Sequence, residues 1–196
     1  MAYNLKDVFY LGATHEYPHG TYGSAGIEGT IPIDVSAYVD PIAKGKTRGQ
    51  GLAVYKVHYQ VAGDEAGGMF NATDEGQATF GLSVKPYATT GDNSGAINSE
   101  DLTPASDLAI FLAGFTAPKS RLSNTTQVAA EANGVVYLEP SPEVPYVVVR
   151  DTIFQVLTTT VGMSNSDSFH ISYRLECAMI TLDTATLNQL LRTQTA

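Results

Sequence analysis

From Ser168 to Glu176 the chain alternates without interruption: Phe169, Ile171, Tyr173 and Leu175 are apolar, while Ser168, His170, Ser172, Arg174 and Glu176 are polar. Cys177 and Met179 continue the apolar series. Side chains on a strand point alternately to opposite faces, so this period predicts one long β-strand over 168–182 with a buried side and a wet side. At Ala178 the wet side ends, and Ile180 and Leu182 are apolar on the other parity. That change predicts either a bulge or a stretch covered on both faces. At Asp183, a residue type that caps helices, the period moves toward 3.6, with Leu187, Leu190 and Leu191 on one face. A C-terminal helix of about two turns is expected there.

The same alternation recurs upstream. Residues 5–11 read as a first strand or as an arm lying on a neighbour, and residues 12–29, with five glycines and Pro18, read as a loop. Residues 30–39 carry Ile31, Ile33 and Val35 in alternation, with Pro32 pointing to a sheet edge or a strand start. In 52–61, Ala53, Tyr55, Val57, Tyr59 and Val61 are taken as the buried side and Leu52, Val54 and Lys56 as the other. Ala78, Phe80, Leu82 and Val84 mark a strand ended by Pro86. The apolar run 108–115 fits a buried strand or a short helix equally well. Asn133-Gly134 reads as a tight turn between two short strands in 127–138. Residues 146–161 read as a second long strand with a bulge near Arg150-Asp151.

About eight strand candidates without a repeat or a linker predict an all-β chain. The expectation is a single antiparallel two-sheet β-sandwich domain over 1–196, with an N-terminal arm and loop over 1–25 and a C-terminal helix and tail over 184–196.

Composition narrows the function. A net charge of −9 works against sequence-independent nucleic-acid binding over the whole surface. The single cysteine, Cys177, falls on the apolar side of the long strand and is expected to pack as a small hydrophobe. The N-terminal residues 1–7 do not read as a signal peptide, and no stretch approaches the roughly 18 apolar residues of a membrane span. A reducing compartment, or release by lysis, is therefore expected. Asn71-Ala72-Thr73 and Asn124-Thr125-Thr126 match the glycosylation pattern by chance on that reading.

Several motifs invite a catalytic reading and fail on context. His15-Glu16-Tyr17-Pro18-His19 has the letters of a zinc-protease helix, but Pro18 and the glycines after it are incompatible with a helix. Gly45-Lys46-Thr47 ends like a phosphate-binding loop, yet Asp40 stands where its first glycine belongs and a strand follows. Lys44, Lys46 and Arg48 are three charges on a loop of an acidic chain, read as a solvated turn. Gly91-Asp92-Asn93-Ser94-Gly95 lacks a histidine paired with Ser94, since His58 and His170 lie within strands. Ser24 lacks the glycine of a nucleophile elbow, because Tyr22 is there. Asp64/Glu65, Asp74/Glu75 and Glu100/Asp101 lack the ligand spacing of a calcium loop. No catalytic, cofactor or metal residue is assigned. Whether His15 and His19, or the acidic pairs, hold a metal is left open.

In size, β-rich order, unequal loops and two long strands near the end (146–161 and 168–182), the chain resembles a single jelly-roll capsid protein of an icosahedral virus. It departs from that pattern in lacking a strongly basic N-terminal arm. The resemblance implies a jelly-roll sandwich and a structural, non-enzymatic virion protein, made in the host cytoplasm and located in the capsid. It implies partners that are copies of itself and other virion proteins, with an internal membrane or the genome as open alternatives, and no cofactor or small-molecule substrate. The termini would stay outside the sheets and bridge neighbours. The alternative is a carbohydrate-binding or adhesive β-sandwich of a phage tail or spike, with Tyr17, Tyr22, Tyr55, Tyr59 and Tyr87 as stacking candidates. A cupin-like metal enzyme is a third class, disfavoured by four histidines of which two share one loop.

Overall fold

The computed structural model of the chain describes residues 8–17, 28–40, 48–63, 76–86, 102–117, 133–159 and 169–195. Among them lie nine strands and one helix: β1 (Phe9–Tyr17), β2 (Glu28–Asp34), β3 (Arg48–Gly63), β4 (Gly76–Ser83), β5 (Ala109–Ala117), β6 (Asn133–Leu138), β7 (Tyr146–Val148), β8 (Thr152–Thr159), β9 (Phe169–Asp183) and α1 (Thr184–Thr195). One sheet has the order β1-β9-β3-β7 and the other β2-β8-β4-β5-β6. Every pairing is antiparallel. The first and last strands pair, and the chain changes sheet at every step except β4 to β5 to β6. This winding is a jelly roll, with β6 added at one edge.

Strand β9 anchors the smaller sheet. It pairs with β1 from Phe9↔Cys177 to Tyr17↔Phe169 and with β3 from Arg48↔Asp183 to Gly63↔Phe169. Met179, on its predicted inner side, is 44% exposed, whereas Ile171, Tyr173, Leu175 and Cys177 are buried. These residues meet Phe80, Leu82, Phe111, Ile153 and Leu157 of the opposite sheet in the main core. Burying each such side chain contributes about 1.5–3 kcal/mol relative to exposing it. Polar atoms inside the sandwich are matched: Gln155 Nε2 donates to Tyr17 Oη at 3.2 Å, and Tyr173 Oη donates to the Gly81 carbonyl at 3.4 Å. Burial pushes the Cys177 thiol up to about 12, so it stays protonated and packs as an apolar group.

The pattern misplaced several boundaries, each for a local reason. Gly12 to Tyr17 belong to β1 instead of a loop; Gly12 pairs with Arg174, and Tyr17 is fully buried. Residues 1–7 and 18–25 of the expected arm and loop lie outside the described residues. In β3 the register with β9 shifts between Val54 and Lys56, leaving Tyr55 as the extra residue of a bulge. The bulge flips the parity, so Leu52, Val54 and Val57 face the main core while Ala53 and Tyr55 face outward beneath α1.

Residues 146–161 are not one strand. Tyr146–Val148 pairs with β3, Thr152–Thr159 pairs with β2 and β4, and the chain crosses between sheets at Val149 to Asp151. The crossing is tied to β2 by the Val35 N–H, which donates to the Asp151 carbonyl at 2.8 Å. The run 108–115 resolves as strand. Asn133-Gly134 is no turn, since the two residues pair with Thr116 and Phe115. The strand expected over 127–132 falls outside the described residues.

The helix begins as expected. The Thr186 N–H donates to Asp183 Oδ1 at 2.8 Å, which satisfies one amide of the open first turn. It runs 12 residues, longer than the two turns expected. Its Leu187, Leu190 and Leu191 lie on the chain's own sheet, so the helix is folded back onto it.

Candidate interaction surface

The outer face of the β1-β9-β3 sheet divides into two halves. In one half Ala53, Tyr55, Ala178, Ile180 and Leu182 are buried beneath Leu187, with Val147, Leu190 and Leu191 around them. Both faces of β9 are buried at Cys177 and Ala178; beyond them burial passes to the outer parity, since Ile180 and Leu182 are buried while Met179 and Thr181 are exposed. In the other half the outward residues are Tyr10, Thr14 and Glu16 of β1, Ser172, Arg174 and Glu176 of β9, and Lys56, His58 and Gln60 of β3. Cross-strand registry brings them together. The Arg174 guanidinium carbon lies 4.0 Å from the centre of the Tyr10 ring, Thr14 Oγ1 donates to Ser172 Oγ at 3.0 Å, and His58 Nε2 lies 2.9 Å from Glu176 Oε1. Such exposed contacts are each weak, on the order of 0–1 kcal/mol. Both signs are interspersed, so this half is a solvated, mixed-charge surface and not a phosphate-binding patch.

The four sheet edges differ more than the faces. At β7 the helix supplies a clasp: Gln194 Nε2 donates to the Val147 carbonyl at 2.6 Å, and the Val149 N–H donates to Gln194 Oε1 at 3.1 Å. Arg150 Nη1 also donates to the Gln194 carbonyl at 3.0 Å. A side-chain amide thus occupies backbone groups that another strand would use. At β2, Pro32 removes a donor and Asp34 ends the strand by accepting from the Ser36 N–H at 2.8 Å. At β1 the edge carries His15 and the exposed Glu16.

The fourth edge, β6, is uncharged from Asn133 to Leu138. Val135 is 50% exposed, Val136 43% and Tyr137 38%. Neighbouring residues on a strand point to opposite faces, so Val135 and Val136 place an exposed apolar side chain on each face of β6. The cause is architectural. Tyr17 of β1 meets Gln155 of β8, Tyr59 of β3 meets Phe80 of β4, and Tyr146 of β7 donates to the Asp107 carbonyl just before β5. With four strands facing five, β6 overhangs. Gly114 admits the Tyr137 ring, since a Cβ there would come within 2.6 Å of Tyr137 Cε2.

Among the described residues the sequence candidates lie apart. His15 and Glu16 sit on opposite faces of a strand, a placement that cannot reproduce the helical zinc arrangement; His19 lies outside the described residues. Burial holds the His15 imidazole below its ordinary value, with Glu16 opposing and His170 adding to the shift. No cluster of three metal-ligating side chains occurs among the described residues. Arg48 opens β3 opposite Asp183, while Lys44, Gly45, Lys46 and Thr47 fall outside the description. So do Ser24, Ser94, Asp64, Glu65, Asp74, Glu75, Glu100 and Asp101.

Of the five stacking candidates, Tyr17 and Tyr55 are buried and Tyr59 packs between Phe80 and Phe111, so none of these three presents a ring to a sugar. Tyr22 and Tyr87 lie outside the described residues. Pattern reading missed Tyr10 under Arg174 and the exposed run on β6. The first had a signal in the polar parity of residues 168–176; the second had none, because an edge is a property of strand order.

No family model and no curated protein sequence matches the chain. Among solved structures, the chain is similar to Merkel cell polyomavirus VP1 in complex with disialyllactose, with 7% identity and a TM-score of 0.51 over 93% of this chain and 99% of that one. It is also similar to the human polyomavirus 7 VP1 pentamer, with 10% identity and a TM-score of 0.44 over 92% and 98% of the two chains. The likeness to the Merkel cell polyomavirus protein is one of fold and agrees with the jelly-roll winding read from the strand order.

Proposed function

We propose that the protein is a structural virion subunit that assembles into an icosahedral capsid shell through contacts with copies of itself and with other virion proteins. The observation that carries this reading is the pairing of a jelly-roll sandwich with an apolar, uncharged strand overhanging one sheet. Monomeric soluble proteins seldom leave such an edge open, because it invites pairing with another chain. The likeness in fold to a viral VP1 supports the same reading. Capsid function needs no reaction centre.

Negative-stain electron microscopy of the purified protein tests it. Closed particles of uniform size are expected, and dispersed monomers at every concentration would overturn the proposal.

A second reading, adhesion to carbohydrate, rests on Tyr10, which is 54% exposed and carries Arg174 on its ring. A glycan array with the Tyr10→Ala variant as control decides it: binding lost in the variant would favour adhesion, and no binding by the parent would dismiss it.

A further inference from the structure

We infer that β6 is a self-pairing strand: Asn133–Leu138 of one copy lies antiparallel to the same segment of a second copy, extending the five-stranded sheet across a two-fold axis. This deepens the shell reading and rests on it. The β7 backbone is held by Gln194, β2 contains Pro32, and β1 carries Glu16. On β6 one backbone edge pairs with β5, and no described strand lies on the other.

Charge then selects the occupant. Copies of a chain carrying −9 repel one another, so they approach most easily where acidic side chains are absent. Asn133–Leu138 has neither acidic nor basic residues, and two such segments meet without burying a charge. Antiparallel self-pairing also keeps each copy's Glu139 at the far end from the other's. Apolarity on both faces suits a sheet continued through the contact, since Val135 and Val136 would each gain a cross-strand neighbour. On the β5 side the register shift between Leu112 and Ala113 leaves Tyr137 as the bulged residue.

Two substitutions test the pairing in the full chain. Val135→Lys places a charge in the contact and is expected to weaken association about tenfold or more. Val144→Lys, at an apolar residue 75% exposed in the turn after β6, should leave association unchanged. Circular dichroism and melting of both variants establish that the fold persists, and Val136→Lys serves if Val135→Lys does not fold. Because Cys177 is buried, a cysteine introduced as Val135→Cys or Val136→Cys is the one accessible thiol among the described residues.

Under mild oxidation one of these cysteine variants should form a disulfide-linked dimer. Loss of association without a cross-link at either position overturns two-fold pairing. Wild-type assembly that Val135→Lys and Val136→Lys leave intact overturns the role of β6 while sparing the shell reading. A wild-type chain that stays monomeric overturns both.

Discussion

Strands β3 and β9 present the same outer face along their whole length, yet its two halves have opposite chemistry. Toward Asp183 the outward residues Ala178, Ile180 and Leu182 are apolar and roofed by α1; toward Phe169 the outward residues Ser172, Arg174 and Glu176 are polar and open. The bulge at Tyr55 sits at the boundary and turns one further apolar ring toward the helix. A sheet face is therefore buried only where the chain supplies its own cover. The helix reaches as far as the β7 edge and closes it, whereas nothing described closes β6.

The largest expected contrast comes from placing one carboxylate in each half. Ala178→Asp buries an unpaired charge beneath Leu187 and should cost about 3 kcal/mol or more, whereas Ser172→Asp stays within about 0.5 kcal/mol. Urea denaturation of the two variants measures the difference, and equal effects would mean that α1 does not cover its half.

Next in size is Gln194→Ala, which strips partners from the Val147 carbonyl and the Val149 N–H. A loss of about 1–3 kcal/mol is expected, with faster hydrogen exchange at the Val149 amide. Unchanged exchange there would mean that the edge is not sealed by the helix.

The helix cap gives a smaller, pH-dependent effect. The Thr186 hydrogen bonds hold the Asp183 carboxyl below its ordinary value, with Arg48 contributing last. A depressed carboxylate stabilises the fold above its unfolded pKa, and that contribution disappears as pH falls through the folded value. Asp183→Asn should thus lower the melting temperature at pH 7 and converge with the parent at pH 2; a constant difference would contradict the cap. Smallest of all is Glu176→Gln in the open half, where the exposed contact with His58 predicts a change of about 0.5 kcal/mol or less in thermal unfolding.

Much of this architecture was legible because period reports burial. The β9 alternation, the parity change at Ala178, the cap at Asp183 and the core place of Cys177 all follow from which residues alternate. What the pattern hid were events that break period without changing composition. A single bulged residue reversed the reading of Ala53 and Tyr55, and the apolar Val147–Val149 and Ile153–Leu157 segments looked continuous although the chain changes sheets between them. Glycines around His15 looked like a loop, yet Gly12 takes an ordinary place in the β1 ladder. The interaction surface was least legible, since Val135, Val136 and Tyr137 are unremarkable until strand order leaves β6 without a facing strand.

Sedimentation velocity of the unmodified protein across a wide concentration range separates an assembling subunit from a solitary one. A fast, narrow boundary from a large, uniform assembly should grow at the expense of the free 20.8 kDa chain as concentration rises. A single slow boundary at the monomer mass throughout the range would contradict assembly.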